Sequence, residues 1–549
     1  MYPRLNPDTD KIECPQIWEA DLISFSDCSL SPFFAKGVSV VRKTNRIVLV
    51  LLFTLVSLVG VSLVWAQQAS RNVETVWGSQ FRAAHKISVK ERYPFRRGGN
   101  SLNRLKHWNE VAINASGLDH TPVAPGENRV FGEQVGPGRS SRAMAIVHIA
   151  VFDAINAIQG GYDSYSNIPR VNVVTSVESA IAQAAHDTLA AMFPSQAPTF
   201  AQLLAEDLDD IPDGPAKNNG IELGHRSAAA ILTSRSGDAS DFAELRVGID
   251  YIPEADPGIW RQDPISLHPL ALGAKWGEVT PFVLNSPSQF RAPAPPPMNS
   301  LEYLIAYNEV KRLGGDGIVT PTQRTNEQTI IGIYWAYDGT PSLCAPPRLY
   351  NQIAMEIAER KHTDDVLKLS RLLALVNTAM SDAGVAIWES KYFYKFWRPV
   401  TGIREANFGT GPTGQGDGNP FTLGDPTFSP LGAPASNLTG PNFTPPFPAY
   451  PSGHAGFGGA LFQTLRRFYD TDRIRFTFIS DEFDGVTADN HGNIRPLIER
   501  SFSTLSEAEE ENGQSRIYLG IHWRFDKTEG IEQGRRVANW VFDHTFRRR

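Results

Sequence analysis

The spacing of apolar residues beyond position 140 follows the helical period. Residues 144–158 are apolar on almost every face, which predicts a buried helix ending at the glycine pair that begins with Gly160. Thr175 and Glu178 form a candidate capping box for a second packed helix that ends before Pro194. Strand signals are short and scattered, and further helices are expected at 198–209, 220–235, 300–313, 321–337, 347–360, 364–392, 454–470, 499–522 and 527–546.

Two proline-rich stretches interrupt this pattern. Residues 291–298, RAPAPPPM, exclude a helix and are placed between two helical halves, 67–290 and 300–549. Pro321 is expected in the first turn of the helix predicted at 321–337. Residues 401–450 contain nine Gly and nine Pro, which predicts a long loop. Because long loops in compact proteins tend to be functional, its position directly before a candidate catalytic segment is informative.

The amino terminus has a different hydrophobic pattern. Residues 47–66 form twenty positions without a charge, preceded by Arg42, Lys43 and Arg46. At 1.5 Å per residue this run is about 30 Å long, which matches the hydrocarbon core of a bilayer. The preceding positive charges predict that leader 1–46 stays in the cytoplasm and that the rest is exported, into a periplasm or out of the cell. Residues 47–66 would then be a cleaved signal peptide or a single membrane anchor, with both alternatives open.

Composition excludes two classes of protein. The 549 residues include 52 Lys and Arg against 59 Asp and Glu, giving a net charge of −7. This argues against a general nucleic-acid binder, which needs a basic surface to displace counterions. A single membrane-length apolar run excludes a polytopic membrane protein. The sequence also lacks C-x-x-C and H-E-x-x-H, so the familiar metal-site motifs are absent from it.

Three separated segments contain cationic and hydrogen-bonding residues suited to the same chemistry. They are KYFYKFWRP from position 391, PSGH at 451–454 and SRIYLGIHWRFD at 515–526. Charge-assisted donors around an imidazole suit a tetrahedral or trigonal-bipyramidal oxyanion, since arginine favours bidentate contacts and a second histidine can move protons. On a helix His522 and Asp526 would share a face, so that the carboxylate orients the imidazole. The three segments supply Lys391, Arg398, Ser452, the Gly453 amide, His454, Arg516 and His522.

Each segment alone has an ordinary structural interpretation as solvated charges, a helix cap or a surface pair. Together and in this order they match the signature that vanadium-dependent haloperoxidases share with type 2 phosphatidic acid phosphatases. Over residues 300–546 the chain resembles most closely the fungal vanadium chloroperoxidase branch and its bacterial relatives. The segments that carry this resemblance are WESKYFYKFWRPVTGIR, LGAPASN, PPFPAYPSGHAGFGGALFQ, SRIYLGIHWRFD and YWAYDGTPSLCAPPRLYNQI.

The resemblance implies an all-α fold of two four-helix bundles and a vanadate cofactor. It implies that His522 is the axial vanadate ligand and that His454 is the acid–base residue at the opposite apical oxygen. It pairs Asp338 with Arg516 and places Trp388 and Phe447 on the halide side, where simple packing is the alternative interpretation of both rings. The equatorial oxygens would be held by Lys391, Arg398, Ser452, Gly453 and Arg516.

The implied activity is oxidation of chloride or bromide by hydrogen peroxide to hypohalous acid. The alternative within the same superfamily is a vanadate-inhibited acid phosphatase acting through a phosphohistidine at His522, and the motif alone does not choose between them. The chain length, Trp388 and Phe447 favour the haloperoxidase. A non-enzymatic anion carrier is a third possibility, against which the presence of two histidines argues. The halide preference, an organic acceptor and the oligomeric state stay open.

Overall fold

The computed structural model describes residues 73–83 and 99–549, so leader 1–46 and the apolar segment 47–66 lie outside the described residues. Within them the helices are α1 Val73–Trp77, α2 Ser101–Asp119, α3 Pro137–Gln159, α4 Val177–Met192, α5 Ala197–Asp209, α6 Pro215–Ser234, α7 Leu301–Leu313, α8 Asn326–Tyr334, α9 Pro346–Arg360, α10 Val366–Tyr394, α11 Pro399–Arg404, α12 Gly453–Tyr469, α13 Leu505–Tyr518 and α14 Arg524–His544. The strands form three antiparallel pairs, β1 Arg82–Ala83 with β4 Leu438–Thr439, β2 Leu245–Arg246 with β3 Leu270–Ala271, and β5 Phe476–Asp484 with β6 Leu497–Phe502. The predicted all-α class is confirmed.

Helix α3 is the centre of the first group of helices. Pro137 occupies its first turn, where the missing N–H costs no hydrogen bond, and Gly160 ends it with a φ of 75°. Among the described residues it is the one helix long and apolar enough to cross a membrane, but 94% of its apolar window is buried within the protein. It packs against α4 and α6 on one side and α10 on the other, as a core helix does.

The second group consists of α10, α12 and α14 with α9 and α13 around them. Glycines let α12 and α14 approach closely, since a Cβ on Gly534 would lie 2.0 Å from the Gly456 carbonyl oxygen. This contact brings together the amino-terminal ends of the two helices, where the Ser452 N–H donates to the Asp526 carbonyl at 2.9 Å. The two ends carry the PSGH and HWRFD segments of the predicted site.

Three local predictions are wrong. The cap of α4 is Ser176, whose hydroxyl accepts the Ser179 N–H at 3.2 Å, and not Thr175. Helix α8 begins five residues after Pro321, because Thr325 and Gln328 form a reciprocal capping box there. The expected helix over 499–522 is in fact strand β6 followed by the shorter helix α13.

Candidate active site

The predicted site residues meet at one cavity, whose empty space counted out into open solvent is about 680 Å³. Seven of the eleven line it, namely Asp338, Trp388, Phe447, Gly453, His454, Arg516 and His522. The remaining four contact residues of this wall or the loop that shapes it. Side chains from α10, α12, α13, the first turn of α14 and the connecting loops thus converge, although up to 188 positions separate them along the chain.

His522 lies in the loop before α14 and not on a helix, which corrects the expectation of a shared helical face. The contact itself exists. Asp526, in the first turn of α14, accepts the His522 Nδ1–H at 2.8 Å and the Trp523 N–H at 3.0 Å. Because the Arg398 guanidinium can only donate, its 2.9 Å contact to Nε2 fixes the other nitrogen of His522 as an acceptor. His522 is therefore a neutral imidazole with a lone pair on Nε2, the form that coordinates metals.

Burial and neighbouring positive charge keep His522 neutral. The side chain is 2% exposed, and burial lowers its pKa well below the ordinary value, with Arg398 and Lys391 adding to the shift. The same environment acts on Arg398, whose pKa burial lowers to about 9. For the Asp526 carboxyl, burial has the opposite effect and raises the pKa to about 7.

A second chain of contacts links Arg516, Asp338 and His454. Arg516 Nη2 donates to Asp338 Oδ1 at 2.6 Å, and the same oxygen lies 3.8 Å from His454 Nε2. Nε2 of His454 carries its proton, because it donates to the carbonyl oxygen of Ala336. Burial lowers the pKa of His454 well below its ordinary value, Arg516 contributing next. Asp338 thus connects an arginine of the anion site with the second histidine.

Several strong donors at this site have no protein partner. Nη2 of Arg398 and both Nε and Nη1 of Arg516 are buried without a hydrogen bond to any described residue. Gly453 begins α12, so its N–H is one of the amides that a helix leaves unpaired at its amino end. Ser452 caps this helix, its hydroxyl accepting the Ala455 N–H at 3.5 Å. Unpaired buried guanidinium groups are costly, and an oxyanion at this position would satisfy them.

Lys391 differs from the expectation. Its Nζ donates to the carbonyl oxygens of Pro448, Ala449 and Pro451 at 2.8, 2.9 and 2.6 Å. An ammonium group has three protons, so these contacts account for all of them. Burial lowers the pKa of Lys391 well below its ordinary value, with Arg398 adding to the shift. In this structure Lys391 anchors the loop before α12, and its predicted contact with an equatorial oxygen remains a prediction.

Trp388 and Phe447 form the apolar side of the site. Their ring centroids are 4.9 Å apart at an interplanar angle of 56°. The Lys391 Nζ and Arg398 Cζ atoms lie 5.1 and 4.9 Å from the Phe447 centroid, within cation–π range. The two rings therefore contact the cationic groups and also line the cavity, which simple core packing does not require.

Comparison with known proteins agrees with this geometry. The family model described as the VCPO second helical-bundle domain matches residues 371–549. The chain is 30% identical over 508 residues to vanadium chloroperoxidase of Curvularia inaequalis, covering 78% of this chain and 79% of that protein. The chain belongs to the vanadium-dependent haloperoxidase family.

Solved structures support the fold of this haloperoxidase. One is the first bacterial vanadium-dependent iodoperoxidase, with a TM-score of 0.62 at 22% identity, covering 84% of this chain and 98% of that one. Another is a holo-type bacterial vanadium-dependent chloroperoxidase, with a TM-score of 0.56 at 18% identity, covering 78% and 94%. The predicted family and its fold of two helical bundles are therefore confirmed. Vanadate, peroxide and a halide are the cofactor and substrates expected of a member.

Sequence reasoning missed part of the haloperoxidase cavity. Its wall also contains Val76, Trp77, His120, Val135, His268, Leu272 and Phe443, none of which lies in a recognised motif. Tyr350 and Asn512 were missed as well, although they donate to the His454 carbonyl at 2.9 and 3.0 Å and so hold the first turn of α12. These side chains have no distinctive spacing in the sequence, so only the fold reveals them.

Proposed function

We propose that this protein is a haloperoxidase that oxidises chloride or bromide with hydrogen peroxide to hypohalous acid, using vanadate held in the cavity. One observation supports this most strongly. Three unpaired guanidinium nitrogens, on Arg398 and Arg516, accompany a neutral histidine whose lone pair is on Nε2. This is the donor set of an oxyanion whose central atom accepts a nitrogen ligand.

The proposed roles follow from these atoms. His522 Nε2 is the nitrogen ligand, held in its tautomer by Asp526, and its lone pair becomes available when it releases the Arg398 Nη1–H that it accepts in the free protein. Arg398 and Arg516 donate to the oxygens of the anion, together with the Ser452 hydroxyl and the Gly453 amide. Bound vanadate would supply a Lewis acid that activates peroxide without changing its own oxidation state.

Proton movement is assigned to the second histidine, His454. His454 holds a proton on Nε2, and Asp338 connects it to Arg516. Burial and Arg516 keep the pKa of His454 well below its ordinary value, so the ring is neutral in the free protein, and since Nε2 is protonated, a proton from peroxide would be accepted at Nδ1. Lys391 fixes the 448–451 loop, and it can reach an oxygen of the anion only by releasing one of its three carbonyl partners.

The aromatic pair favours halide oxidation over ester hydrolysis. Trp388 and Phe447 are buried beside Lys391 and Arg398, where an apolar ring edge and nearby positive charge can receive a weakly hydrated anion. In ester hydrolysis the group facing these rings would instead be the alcohol of the phosphate ester, which is hydrated. We further propose that residues 47–66 direct export or anchor the chain, since diffusible hypohalous acid is better made outside the cytoplasm.

The test is halogenation of monochlorodimedone by the full-length protein with vanadate and peroxide, first with bromide and then with chloride. Hydrolysis of p-nitrophenyl phosphate without vanadate is measured in parallel. We expect vanadate-dependent halogenation that is lost in His522→Ala and retained in the matched control His491→Ala, an exposed histidine. Hydrolysis of the phosphate ester without any halogenation would contradict the proposal and favour the phosphatase.

A further inference from the structure

His454, the proposed acid–base residue, takes its orientation from a segment that connects two helices. Its Nε2–H is donated to the Ala336 carbonyl, and Asp338 Oδ1 lies 3.8 Å from the same nitrogen. Both acceptors belong to residues 335–345, which connect α8 to α9. The direction of the His454 ring therefore depends on where this connecting segment lies.

The connecting segment contains a residue in a disfavoured conformation. Tyr337, between the two acceptors, has a φ of 39°, a left-handed value that residues with a side chain rarely adopt. Its side chain is fully buried. A conformation of this kind persists only where the surrounding structure holds it. The contacts that hold Tyr337 thus also set the positions of the Ala336 carbonyl and the Asp338 carboxylate.

Strand β5 supplies such contacts through three successive residues. The Ser480 hydroxyl donates to the Tyr334 carbonyl at 2.7 Å, and the Asp481 N–H donates to the Tyr337 hydroxyl at 2.8 Å. The Tyr337 N–H in turn donates to Glu482 Oε1 at 3.1 Å. Among the described residues that line the cavity, none belongs to β5 or β6. The hairpin therefore reaches the site through the segment that it holds.

Glu482 is a carboxylate in an inward position of the strand, where burial is costly. It is fully buried, and its Oε2 accepts the Ser436 hydroxyl and the Arg495 guanidinium. A buried ion pair is weak evidence for stabilisation, because apolar residues of similar volume are often equally stable in its place. Stability alone does not account for a carboxylate here, whereas the Tyr337 N–H requires an acceptor.

We propose that Ser480 and Glu482 are positioning residues for the acid–base step, fixing residues 334–338 so that the Ala336 carbonyl keeps the proton of His454 on Nε2 and Nδ1 can accept another. The inference rests on the proposed function, because the role of His454 belongs to it. The contacts themselves exist in the free protein. They can therefore be tested without vanadate and without turnover.

Two double variants that differ in one acceptor provide the test. Both replace Arg495 by methionine, so that no guanidinium is left unpaired when the carboxylate is removed. Glu482→Met/Arg495→Met removes the acceptor of the Tyr337 N–H. Glu482→Gln/Arg495→Met is the matched control, since the glutamine carbonyl can still accept this N–H while its NH₂ donates to the Ser436 hydroxyl.

The first readout is the exchange of imidazole N–H protons with water, measured by NMR in the full-length, vanadate-free protein that carries isotopically labelled histidine. His454→Gln and His522→Gln assign the signals. In Glu482→Met/Arg495→Met the His454 Nε2–H should exchange at least about tenfold faster than in the wild type, as expected for a weakened hydrogen bond. The His522 Nδ1–H, which Asp526 accepts, should change less than about twofold. The control variant should match the wild type at both signals.

The second readout is turnover at saturating vanadate. General acid–base catalysis contributes about 10²–10⁴-fold in rate, so kcat for bromide oxidation should fall about tenfold in Glu482→Met/Arg495→Met. In the control variant kcat should stay close to the wild-type value.

Two exchange results would overturn the proposal. One is an unchanged rate at His454, and the other is equal acceleration at His454 and His522, which indicates general loosening. If the methionine double variant does not fold, Ser480→Ala, which removes one hydroxyl, decides by the same two signals. Absence of bromide oxidation by the wild type would instead contradict the proposed function, and the exchange rates would still decide the positioning role.

Discussion

The tautomer of His522 is set from two sides, by the Asp526 carboxylate at Nδ1 and by Arg398 at Nε2, and Asp526→Asn tests the first of these contacts. Asp526 Oδ2 accepts both the His522 Nδ1–H and the Trp523 N–H. Asparagine has the same shape but no charge, and half of its polar end is an NH₂ donor. If the amide nitrogen faces His522, the ring proton must move to Nε2 and the lone pair for vanadium is lost.

The magnitude follows from the bonds that change. A hydrogen bond to a charged group contributes about 1.5–3 kcal/mol and a neutral one about 0.5–1.5 kcal/mol, so weakening the His522 contact costs roughly 1 kcal/mol. Loss of ligand basicity adds to this, and replacing the partner of a metal-bound histidine typically lowers metal affinity about 10- to 100-fold. We therefore expect the Kd for vanadate to rise by about 10- to 100-fold, or about 1.4–2.7 kcal/mol.

The assay is equilibrium dialysis of vanadate with elemental analysis of bound vanadium, alongside bromide oxidation as a function of vanadate concentration. Asp543→Asn on the same helix is the control, because its side chain is 54% exposed and, among the residues that the structure describes, it pairs with Arg467 alone. This control should change the Kd less than twofold. A wild-type Kd for Asp526→Asn, in a protein that unfolds at the wild-type temperature, would refute the role assigned to the Asp526 carboxylate in preparing His522 as the vanadate ligand.

Four further changes test other parts of the molecule. Arg516→Lys keeps the charge but removes two unpaired guanidinium nitrogens, so vanadate affinity in the same dialysis should fall at least about tenfold. Phe447→His adds a polar ring beside Lys391, so the ratio of chloride to bromide oxidation should fall. Burial lowers the pKa of His148 to about 4 in the folded protein, so as pH falls this histidine is protonated first in the unfolded chain. Between pH 6.5 and 4.5 the wild type should therefore lose about 2 kcal/mol of unfolding free energy, as measured by urea titration. The variant His148→Gln should retain this free energy. Gly534→Ala should lower the melting temperature by at least about 5 °C or prevent folding, because its Cβ would overlap the Gly456 carbonyl oxygen.

The sequence predicted the long helices well because burial and period coincide in them. Residues 144–158 are apolar on nearly every face, and the helix that contains them is packed on several sides. Helix ends were less predictable where two residues could cap, as Thr175 and Ser176 could, because the choice depends on which hydroxyl reaches an amide in the folded chain.

The hairpin of β5 and β6 was missed because the inward positions of β5 are apolar only in the first part of the strand. Residues 476, 478, 480 and 482 face inward, but the last two are Ser480 and Glu482. Their burial is possible because Ser480 donates to the Tyr334 carbonyl at 2.7 Å and Glu482 pairs with Arg495. A strand whose inward positions change from apolar to polar loses its period-two signal, and only tertiary partners compensate.

The same reasoning explains what the motifs could and could not predict at the site. They predicted that Arg398, Arg516 and His522 belong to one site because guanidinium and imidazole side chains in this fixed order are rare. They could not identify the partners of Lys391, since carbonyl oxygens belong to every residue and are placed by the path of the loop. The cationic side chains of the site repel one another when no anion is bound, and binding of an anion relieves this repulsion. Affinity for vanadate should therefore depend on the carboxylates and carbonyls that hold the donors as strongly as on the donors themselves.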